Sequence, residues 1–336
     1  MTYRIAINGF GRIGRNYLRR LLAKDMANEG LQVVAINDLY DTGTLAHLLQ
    51  YDSTFGRLDA EIGYDGDILI ADWHEIPTFA EKRPDALPWA DLQVDLVIEA
   101  TGKLRTRDDA ALHLKAGAGR VLISAPGKDV DATLVPGVNA DSYDPVHHQI
   151  ISAASCTTNC VAPLVKVLHE AFGIEHGHLT TVHAYTNDQN VLDSPHKDPR
   201  RARAAAGNII PTSTGAAKAV GLVLPELAGR LDGVALRVPV VDGSISDLTL
   251  QLRDEVTAEM INEAVEEAAT GSLRGIIRYS EAPLVSTDIV GDPASCVFDG
   301  QLTQAQGHLA KVFGWYDNEW GYTNRLVDLS RQMSRG

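Results

Sequence analysis

The sequence has 336 residues, of which 45% are hydrophobic and 22% are charged, a composition typical of a globular protein with about two domains. The net charge of −14 disfavours nucleic acid as a partner, because an acidic surface repels a phosphate backbone. No apolar run approaches the roughly 20 residues that span a membrane, and no signal-peptide pattern is present, so we expect a cytoplasmic protein.

The first predicted strand, YRIAIN (3–8), leads into GFGRIG, which precedes a run with apolar residues at helical spacing. Gly9 permits a tight turn, Gly11 lets the backbone approach a pyrophosphate, and Gly14 lets the helix pack on the strand. A second strand, LQVVAIND, ends in Asp38, whose carboxylate can bind the adenosine ribose hydroxyls and repel a 2′-phosphate. This order of elements predicts an NAD site rather than a glycine-rich turn without a ligand.

Two further buried strands are predicted at VDLVIEATG and RVLISAP. Thr101, Gly102 and Ser124 follow their carboxyl ends, where open α/β sheets bind ligands. Strands that alternate with helices predict an α/β fold built on a doubly wound (Rossmann) parallel sheet.

The stretch SAASCTTNC (152–160) places Cys156 at or just before a helix N-terminus, where the helix dipole stabilises a thiolate. Three cysteines in so long a chain argue against a disulfide framework, and no metal-binding motif occurs. Pro163 implies either that the helix begins later than residue 157 or that it kinks. We interpret Cys160, one turn further on, as a packing residue.

A thiolate needs a base or a cation beside it, and TTVHAYTNDQ supplies His183 at a predicted strand end. Taken alone, His183 is typical of a structural histidine. Together with Cys156 and a dinucleotide site, it becomes the candidate base.

Three further features predict anion binding. The segment 196–220 is basic, and the acidic chain makes an anionic substrate a better partner for it than nucleic acid; its arginines include Arg200, Arg201 and Arg203. Thr214 and Gly215 precede a helical run, which is an anion-binding helix start. Arg237 lies in an apolar stretch, ALRVPVVDGSISDLTLQL, that ends in an alternating antiparallel strand. Such an arginine indicates a bound anion or, equally, an ion pair with an aspartate.

These features together predict thiol-based oxidation of an aldehyde. A thiolate adds to the aldehyde, the thiohemiacetal surrenders a hydride, and phosphate releases the thioester as an acyl phosphate. The chain resembles the phosphorylating glyceraldehyde-3-phosphate dehydrogenase family from end to end, through INGFGRIGR, AINDL, YDSTFG, EATGK, SCTTNC, VHAYTNDQ, PHKDPRRARAAAGNIIPTSTGAAKAVG, RVP and WYDNEWGY.

The resemblance implies a role for each matching residue. Cys156 is expected to be the nucleophile and His183 its base. The substrate and the attacking phosphate are expected to bind at Ser155, Thr157, Thr186, Arg201, Thr214, Gly215 and Arg237. The cofactor contacts are expected to be Gly9, Gly11, Arg12, Ile13, Gly14, Asp38, Lys82, Thr101, Ser124 and, at the nicotinamide amide, Asn318. No metal is expected.

The resemblance also implies a reaction and an organisation. NAD and inorganic phosphate would convert D-glyceraldehyde 3-phosphate to 1,3-bisphosphoglycerate in a cytoplasmic homotetramer, with no nucleic acid or membrane partner. Residues 1–154 and 319–336 would form the NAD-binding Rossmann domain. Residues 155–318 would form an α+β catalytic domain with a mainly antiparallel sheet, and the loop at about 184–207 would lie near a neighbouring subunit.

The chain departs from the more frequent family pattern at Ala153, at Ser194 and in RVPVVDGSIS, which replaces RVPTPNVSVV. Ala153 and RVPVVDGSIS are expected to touch no chemical role and indicate a sub-lineage. Ser194 weakens the preference for NAD, so an NADP-preferring anabolic form of the enzyme is one alternative. Erythrose-4-phosphate dehydrogenase, which shares the cysteine and histidine chemistry, is another. A catalytically idle NAD-binding protein is a third, and the physiological direction of the reaction stays open.

Overall fold

A computed structural model describes residues 2–23 and 30–336, which form two compact units. Within the described ranges, the first unit draws on Met1–Leu134, Ala140–Ala154 and Thr323–Gly336, and the second on Val135–Asn139 and Ser155–Tyr322. No helix in these ranges is long and apolar enough to cross a membrane. The same ranges contain no group of three or more His, Cys, Asp or Glu residues that could hold a metal ion.

The first unit is built around one twisted sheet. Its elements are β1 (Tyr3–Asn8), α1 (Arg12–Leu22), β2 (Leu31–Asn37), α2 (Thr42–Gln50), β3 (Tyr51–Asp52), β4 (Gly56–Arg57), β5 (Ile62–Asp65), β6 (Ile68–Ala71), β7 (His74–Phe79), β8 (Leu96–Glu99), α3 (Arg107–Lys115), β9 (Arg120–Ile123), β10 (Ala132–Thr133) and β11 (Ile150–Ser152). The strand order is β10-β11-β9-β8-β1-β2-β7-β6-β5, with β5, β6 and β7 paired antiparallel and the other neighbours parallel. The chain reverses its direction of travel across the sheet between β1 and β8, which confirms the predicted doubly wound topology and puts a ligand crevice at their carboxyl ends.

The strands of this sheet form because their residues are apolar and can be buried on both faces. Every residue of β8 is buried, as are the last four residues of β1, and continuous burial is the pattern of a parallel strand covered on both sides. Trp89 is fully buried, and its Nε1 donates to His113 Nδ1 at 3.0 Å. Such a satisfied indole holds the covering layer in place without leaving a buried donor unpaired.

The second unit contains a larger share of antiparallel pairing. Its elements are α4 (Cys156–Phe172), β12 (Ile174–Ala184), β13 (Ile210–Ser213), α5 (Ala216–Val223), β14 (Leu231–Val238), β15 (Ser244–Leu252), α6 (Ala258–Thr270), β16 (Ile277–Ser280), β17 (Cys296–Asp299), β18 (Gln304–Gln306), β19 (Leu309–Tyr316) and the start of α7 (Trp320–Ser334). The sheet runs β13-β14-β12-β15-β19-β17-β16, with β18 on β19. Among the described strands of this sheet, only the pairs β12 with β14 and β16 with β17 are parallel.

Two predictions about this unit are decided by local structure. The alternating pattern that ends at Leu252 is the antiparallel strand β15, whose residues alternate strictly between buried and half-buried. Arg237 does not lie on it, because β14 ends at Val238, before Pro239, and a turn with Gly243 at φ +84° separates the strands. Helix α4 begins at Cys156 and contains Pro163, so the alternative in which it begins after residue 157 is wrong.

Candidate active site

Cys156 is the first residue of α4, and the polar residues around it fix the helix start. The N-cap Ser155 accepts a hydrogen bond from Thr158 N at 3.1 Å through its Oγ, which also pairs with Thr158 Oγ1 at 2.7 Å. Asn159 Nδ2 donates to Ser155 O at 2.9 Å. The hydroxyl and amide residues that make SCTTNC unlike a buried helix therefore serve as its cap.

The charge state of the Cys156 thiol depends on its neighbours. Burial raises the pKa of Cys156, while the Arg237 guanidinium and hydrogen bonding from Thr157 act to lower it. The position at a helix N-terminus is thus not sufficient by itself to give the thiolate that the sequence pattern predicted. A proton acceptor is needed, and His183 Nε2 lies 3.4 Å from Cys156 Sγ.

His183 lies near the end of β12 and is buried, with 4% of its surface exposed. Its Nδ1 is 2.7 Å from Ala184 O, so we assign the ring proton to Nδ1, which leaves the Nε2 lone pair directed to the sulfur. Burial and the charge of Arg237 lower the pKa of His183 to about 3. The imidazole is therefore neutral near pH 7 and can accept a proton.

Arg237 reaches this pair through the register of two parallel strands, since β14 places it beside His183 on β12. Its Nη1 lies 3.1 Å from His183 Nδ1 and 3.4 Å from Thr186 Oγ1, and it donates to Ala184 O at 3.1 Å. No carboxylate pairs with Arg237 in the part of the chain that the structure describes, and its buried Nε has no partner there. The interpretation of Arg237 as half of an ion pair with an aspartate is therefore wrong. The interpretation of Arg237 as a cation that binds an anionic ligand remains.

Tyr316 is a site residue that sequence reasoning missed. It ends β19, is 1% exposed, and its hydroxyl pairs with Thr157 Oγ1 and Thr181 Oγ1, each at 2.8 Å. Its ring meets the His183 ring edge-on, with centroids 5.9 Å apart at an interplanar angle of 76°. The only signal for it was its place in WYDNEWGY, two residues before Asn318.

Arg201, Thr214 and Gly215 lie on a neighbouring part of the second unit, and no contact joins them directly to Cys156. The Arg201 guanidinium is already engaged, by Asp188 Oδ2 at 2.5 Å and Thr212 Oγ1 at 3.0 Å, although its charge also lowers the pKa of His183. Gly215 is the N-cap of α5 and supplies no side-chain cap. Ala216 N donates to Thr214 Oγ1 at 3.2 Å, so the N–H groups that follow it in the first turn of α5 are the candidate donors to an anion.

The three glycines of the turn after β1 differ in the space around them. Gly9 has φ +94°, and a Cβ there would lie 2.7 Å from Thr101 N. A Cβ on Gly14 would lie 2.2 Å from Gly9 O, whereas one on Gly11 would meet nothing within 4 Å. Gly9 and Gly14 are thus required by the protein's own packing. The space beside Gly11, at the uncapped start of α1, is open to a ligand.

Asp38 follows β2 and faces this turn. Its Oδ2 accepts from Phe10 N at 2.7 Å and its Oδ1 from Tyr40 N at 3.3 Å, so each oxygen keeps a lone pair for a ribose hydroxyl. Lys82 lies exposed nearby, one residue after Glu81, whose backbone pairs with Asn37.

The remaining predicted cofactor residues are at the same edge of the sheet or on α1. Ser124 Oγ donates to Glu99 O at 3.0 Å, and Thr101 pairs with the Glu99 carboxylate through both N and Oγ1. Arg12 forms an ion pair with the buried Asp52, and Ile13 follows it in the first turn of α1. These placements, together with the open space at Gly11, fit a bound dinucleotide.

Comparison with known proteins agrees with this geometry. The family model for the glyceraldehyde 3-phosphate dehydrogenase C-terminal domain matches residues 155–318, and that for the NAD binding domain matches residues 3–107. The chain belongs to the glyceraldehyde 3-phosphate dehydrogenase family. It is 58% identical to the glyceraldehyde-3-phosphate dehydrogenase of Streptomyces coelicolor over 332 residues, 98% of each chain. It is 56% identical to that of Geobacillus stearothermophilus over 335 residues, 99% of each chain.

Membership of the glyceraldehyde 3-phosphate dehydrogenase family directs attention to Asn318, the expected contact of the nicotinamide amide. Its Oδ1 accepts from Ser244 Oγ at 2.6 Å, and Ser244 Oγ in turn accepts from Ala184 N at 3.1 Å. With Oδ1 engaged by Ser244, Nδ2 is the end of the Asn318 amide that can donate to a ligand. Sequence reasoning did not identify Ser244, which lies in the RVPVVDGSIS departure.

Proposed function

We propose that the chain is an NAD-dependent phosphorylating glyceraldehyde-3-phosphate dehydrogenase that oxidises D-glyceraldehyde 3-phosphate, with inorganic phosphate, to 1,3-bisphosphoglycerate. The observation that carries this proposal is the 3.4 Å contact between Cys156 Sγ and His183 Nε2, with the Arg237 cation beside the imidazole. A buried thiol next to a neutral base and an arginine is suited to covalent catalysis on an anionic aldehyde.

In the first step, His183 Nε2 takes the thiol proton while Cys156 Sγ bonds to the aldehyde carbon. The carbonyl oxygen then collects that proton from Nε2, which completes a thiohemiacetal. We assign Arg237 and Thr186 to the phosphate of the substrate, because Arg237 Nη1 lies 3.4 Å from Thr186 Oγ1 and no carboxylate bonds to either group among the described residues.

Bound NAD supplies the hydride acceptor, and Gly11, Asp38 and Asn318 are the residues that we expect to hold it. His183 Nε2 takes the thiohemiacetal hydroxyl proton as the carbon is oxidised, which leaves a thioester on Cys156. A phosphate oxygen then attacks the thioester carbon, the C–S bond breaks, and the thiolate regains the proton from Nε2. The α5 N-terminus at Gly215, with Thr214 and Arg201, is the group that we assign to the attacking phosphate.

The finer assignments belong to the same proposal. We assign residues 1–154 and 319–336 to the NAD-binding domain and residues 155–318 to the catalytic domain, and we place the enzyme in glycolysis in the cytoplasm. A homotetramer is supported by exposed apolar side chains on the 184–207 loop, where Val191 is 82% and Leu192 75% exposed. Light scattering should then give four times the chain mass of 36.3 kDa.

The test is the initial rate of cofactor reduction with glyceraldehyde 3-phosphate, with and without phosphate, with NAD and NADP in parallel. Rapid reduction of NAD that requires phosphate is expected. Equal rates without phosphate would contradict acyl-phosphate formation, and a higher kcat/KM with NADP would contradict the cofactor assignment. A higher kcat/KM with erythrose 4-phosphate would replace the proposed substrate.

A further inference from the structure

Asp242 and Asp317 are buried in the second unit, 2% and 1% exposed, and their carboxyl groups are in hydrogen-bonding contact with each other. Asp242 Oδ1 accepts from Gly243 N at 2.8 Å, and its buried Oδ2 has no donor among the described residues. An ionised carboxylate with one donor is strongly disfavoured in such a position. The pattern is that of a carboxylic acid, whose Oδ2 carries a proton.

Asp317 has the opposite surroundings. It accepts from three backbone N–H groups, those of Gly291 at 2.7 Å, Glu319 at 2.9 Å and Trp320 at 2.6 Å. Burial raises the pKa of Asp317 too, but these donors and the hydrogen bond with Asp242 oppose that rise and stabilise its charged form. We therefore place the shared proton on Asp242 and the negative charge on Asp317.

The electrostatics of the pair agree with this assignment. Burial, followed by the charges of Asp317 and Glu319, raises the pKa of Asp242 to about 9. The Cys156 thiol is also in electrostatic contact with Asp242. One proton is therefore held across the physiological range and lost in mildly alkaline solution.

Asp242 and Asp317 lie close in sequence to Ser244 and Asn318, whose hydrogen bond orients the Asn318 amide. Asp317 directly precedes Asn318, and Asp242 lies two residues before Ser244, whose Oγ donates to Asn318 Oδ1 at 2.6 Å. A hydrogen bond between the Asp242 and Asp317 carboxyls therefore ties the segment that carries Ser244 to the segment that carries Asn318.

We infer that Asp242 is a positioning residue for Asn318, and that its proton keeps the Ser244 to Asn318 hydrogen bond in the arrangement that receives the nicotinamide amide. This inference rests on the proposed function, which assigns Asn318 to that amide. Loss of the proton leaves two adjacent buried carboxylates, which repel each other and separate the two segments. Asn318 then binds the nicotinamide amide more weakly, whereas binding of the adenosine end of the cofactor does not change.

Calorimetric dissociation constants for NAD and for ADP-ribose, which lacks nicotinamide, test the inference between pH 7.5 and 10. In the wild type, NAD should bind about tenfold more weakly at pH 10, one unit above the pKa of about 9, while ADP-ribose should change little. D242N should remove the difference, because an amide donates to Asp317 without titrating. D247N should keep it, since Asp247 is a partly exposed acid paired with Lys311 Nζ at 2.6 Å.

The outcomes separate this inference from the proposed function. If D242N keeps the alkaline weakening, or if NAD and ADP-ribose weaken together, the inference fails while NAD binding at pH 7.5 leaves the proposed function standing. Absence of NAD binding at pH 7.5 overturns both. Infrared difference spectra provide a check that needs no variant: the wild type should show a protonated carboxyl band at pH 7.5 that disappears near pH 9, and its absence would overturn the inference.

Discussion

Replacing Arg237 by methionine tests the electrostatics of the nucleophile without involving substrate. The Arg237 guanidinium stabilises the Cys156 thiolate and so opposes the rise in the pKa of Cys156 that burial causes. We expect the pKa of the Cys156 thiol to rise in R237M. The pKa of His183 should rise as well, because the same charge helps to lower it to about 3.

The expected size follows from the arrangement of the three groups. Arg237 Nη1 is 3.1 Å from His183 Nδ1, and His183 Nε2 is 3.4 Å from Cys156 Sγ, so the imidazole separates cation from sulfur. Because this path spans at most about 9 Å, a unit charge contributes at least about 2 kcal/mol at an effective dielectric constant of about 20. This corresponds to an increase of roughly 1.4 units in the pKa of the thiol.

The assay is the pH dependence of alkylation by iodoacetamide, a neutral reagent that does not itself need the arginine. Cys160 and Cys296 are both 0% exposed, so the reaction reports Cys156 in the folded protein. R278M is the matched control, because Arg278 pairs with Asp292 at 2.7 Å and its side chain is 45% exposed. A midpoint for R237M that equals that of the wild type, or lies below it, would refute the electrostatic role of this cation.

Four further variants test the nucleophile, the cofactor turn and the ribose-binding carboxylate. Cys156→Ser should keep NAD affinity but retain less than about a hundredth of the NAD reduction rate, because the hydroxyl is a far weaker nucleophile; initial rates decide this. Gly14→Ala should lower the free energy of unfolding by about 1–3 kcal/mol in urea titrations, since its Cβ would lie 2.2 Å from Gly9 O. Gly11→Ala, with nothing within 4 Å, should unfold like the wild type yet bind NAD more weakly. Asp38→Asn should lower the ratio of NAD to NADP kcat/KM by about tenfold, a change of roughly 1.4 kcal/mol; an unchanged ratio would remove this carboxylate from cofactor selection.

The glycine turn could be predicted from the sequence because all of its determinants are local. Strand β1, the turn and α1 are consecutive, and each glycine has one geometric reason to be there. Cys156 was recognisable for the same reason, since its helix cap is made by the residues on either side of it.

The surroundings of the nucleophile could not be predicted in this way. Arg237 meets His183 because β12 and β14 pair in parallel in one register, and 54 residues of sequence separate the two side chains. The Tyr316 hydroxyl pairs with Thr157 Oγ1 although 159 residues of sequence separate them. Hydrophobic patterns predict strands, but they do not specify which strand pairs with which, so these contacts had no signal of their own.

The end of β19 shows why a short segment of the chain contributes so much to the site. A Cβ on Gly314 would lie 2.7 Å from Cys296 Sγ and 3.1 Å from Cys160 Sγ, so only glycine lets this strand approach the helix that begins at Cys156. Cys160 Sγ is also 3.6 Å from Gly314 O, which agrees with its packing role. Because successive side chains of a strand alternate, Tyr316 returns to the same face as Gly314, where its hydroxyl meets Thr157 at 2.8 Å. Gly314 therefore sets how closely β19 packs on α4, and Tyr316 anchors the first turn of α4 at Thr157, the residue next to the nucleophile.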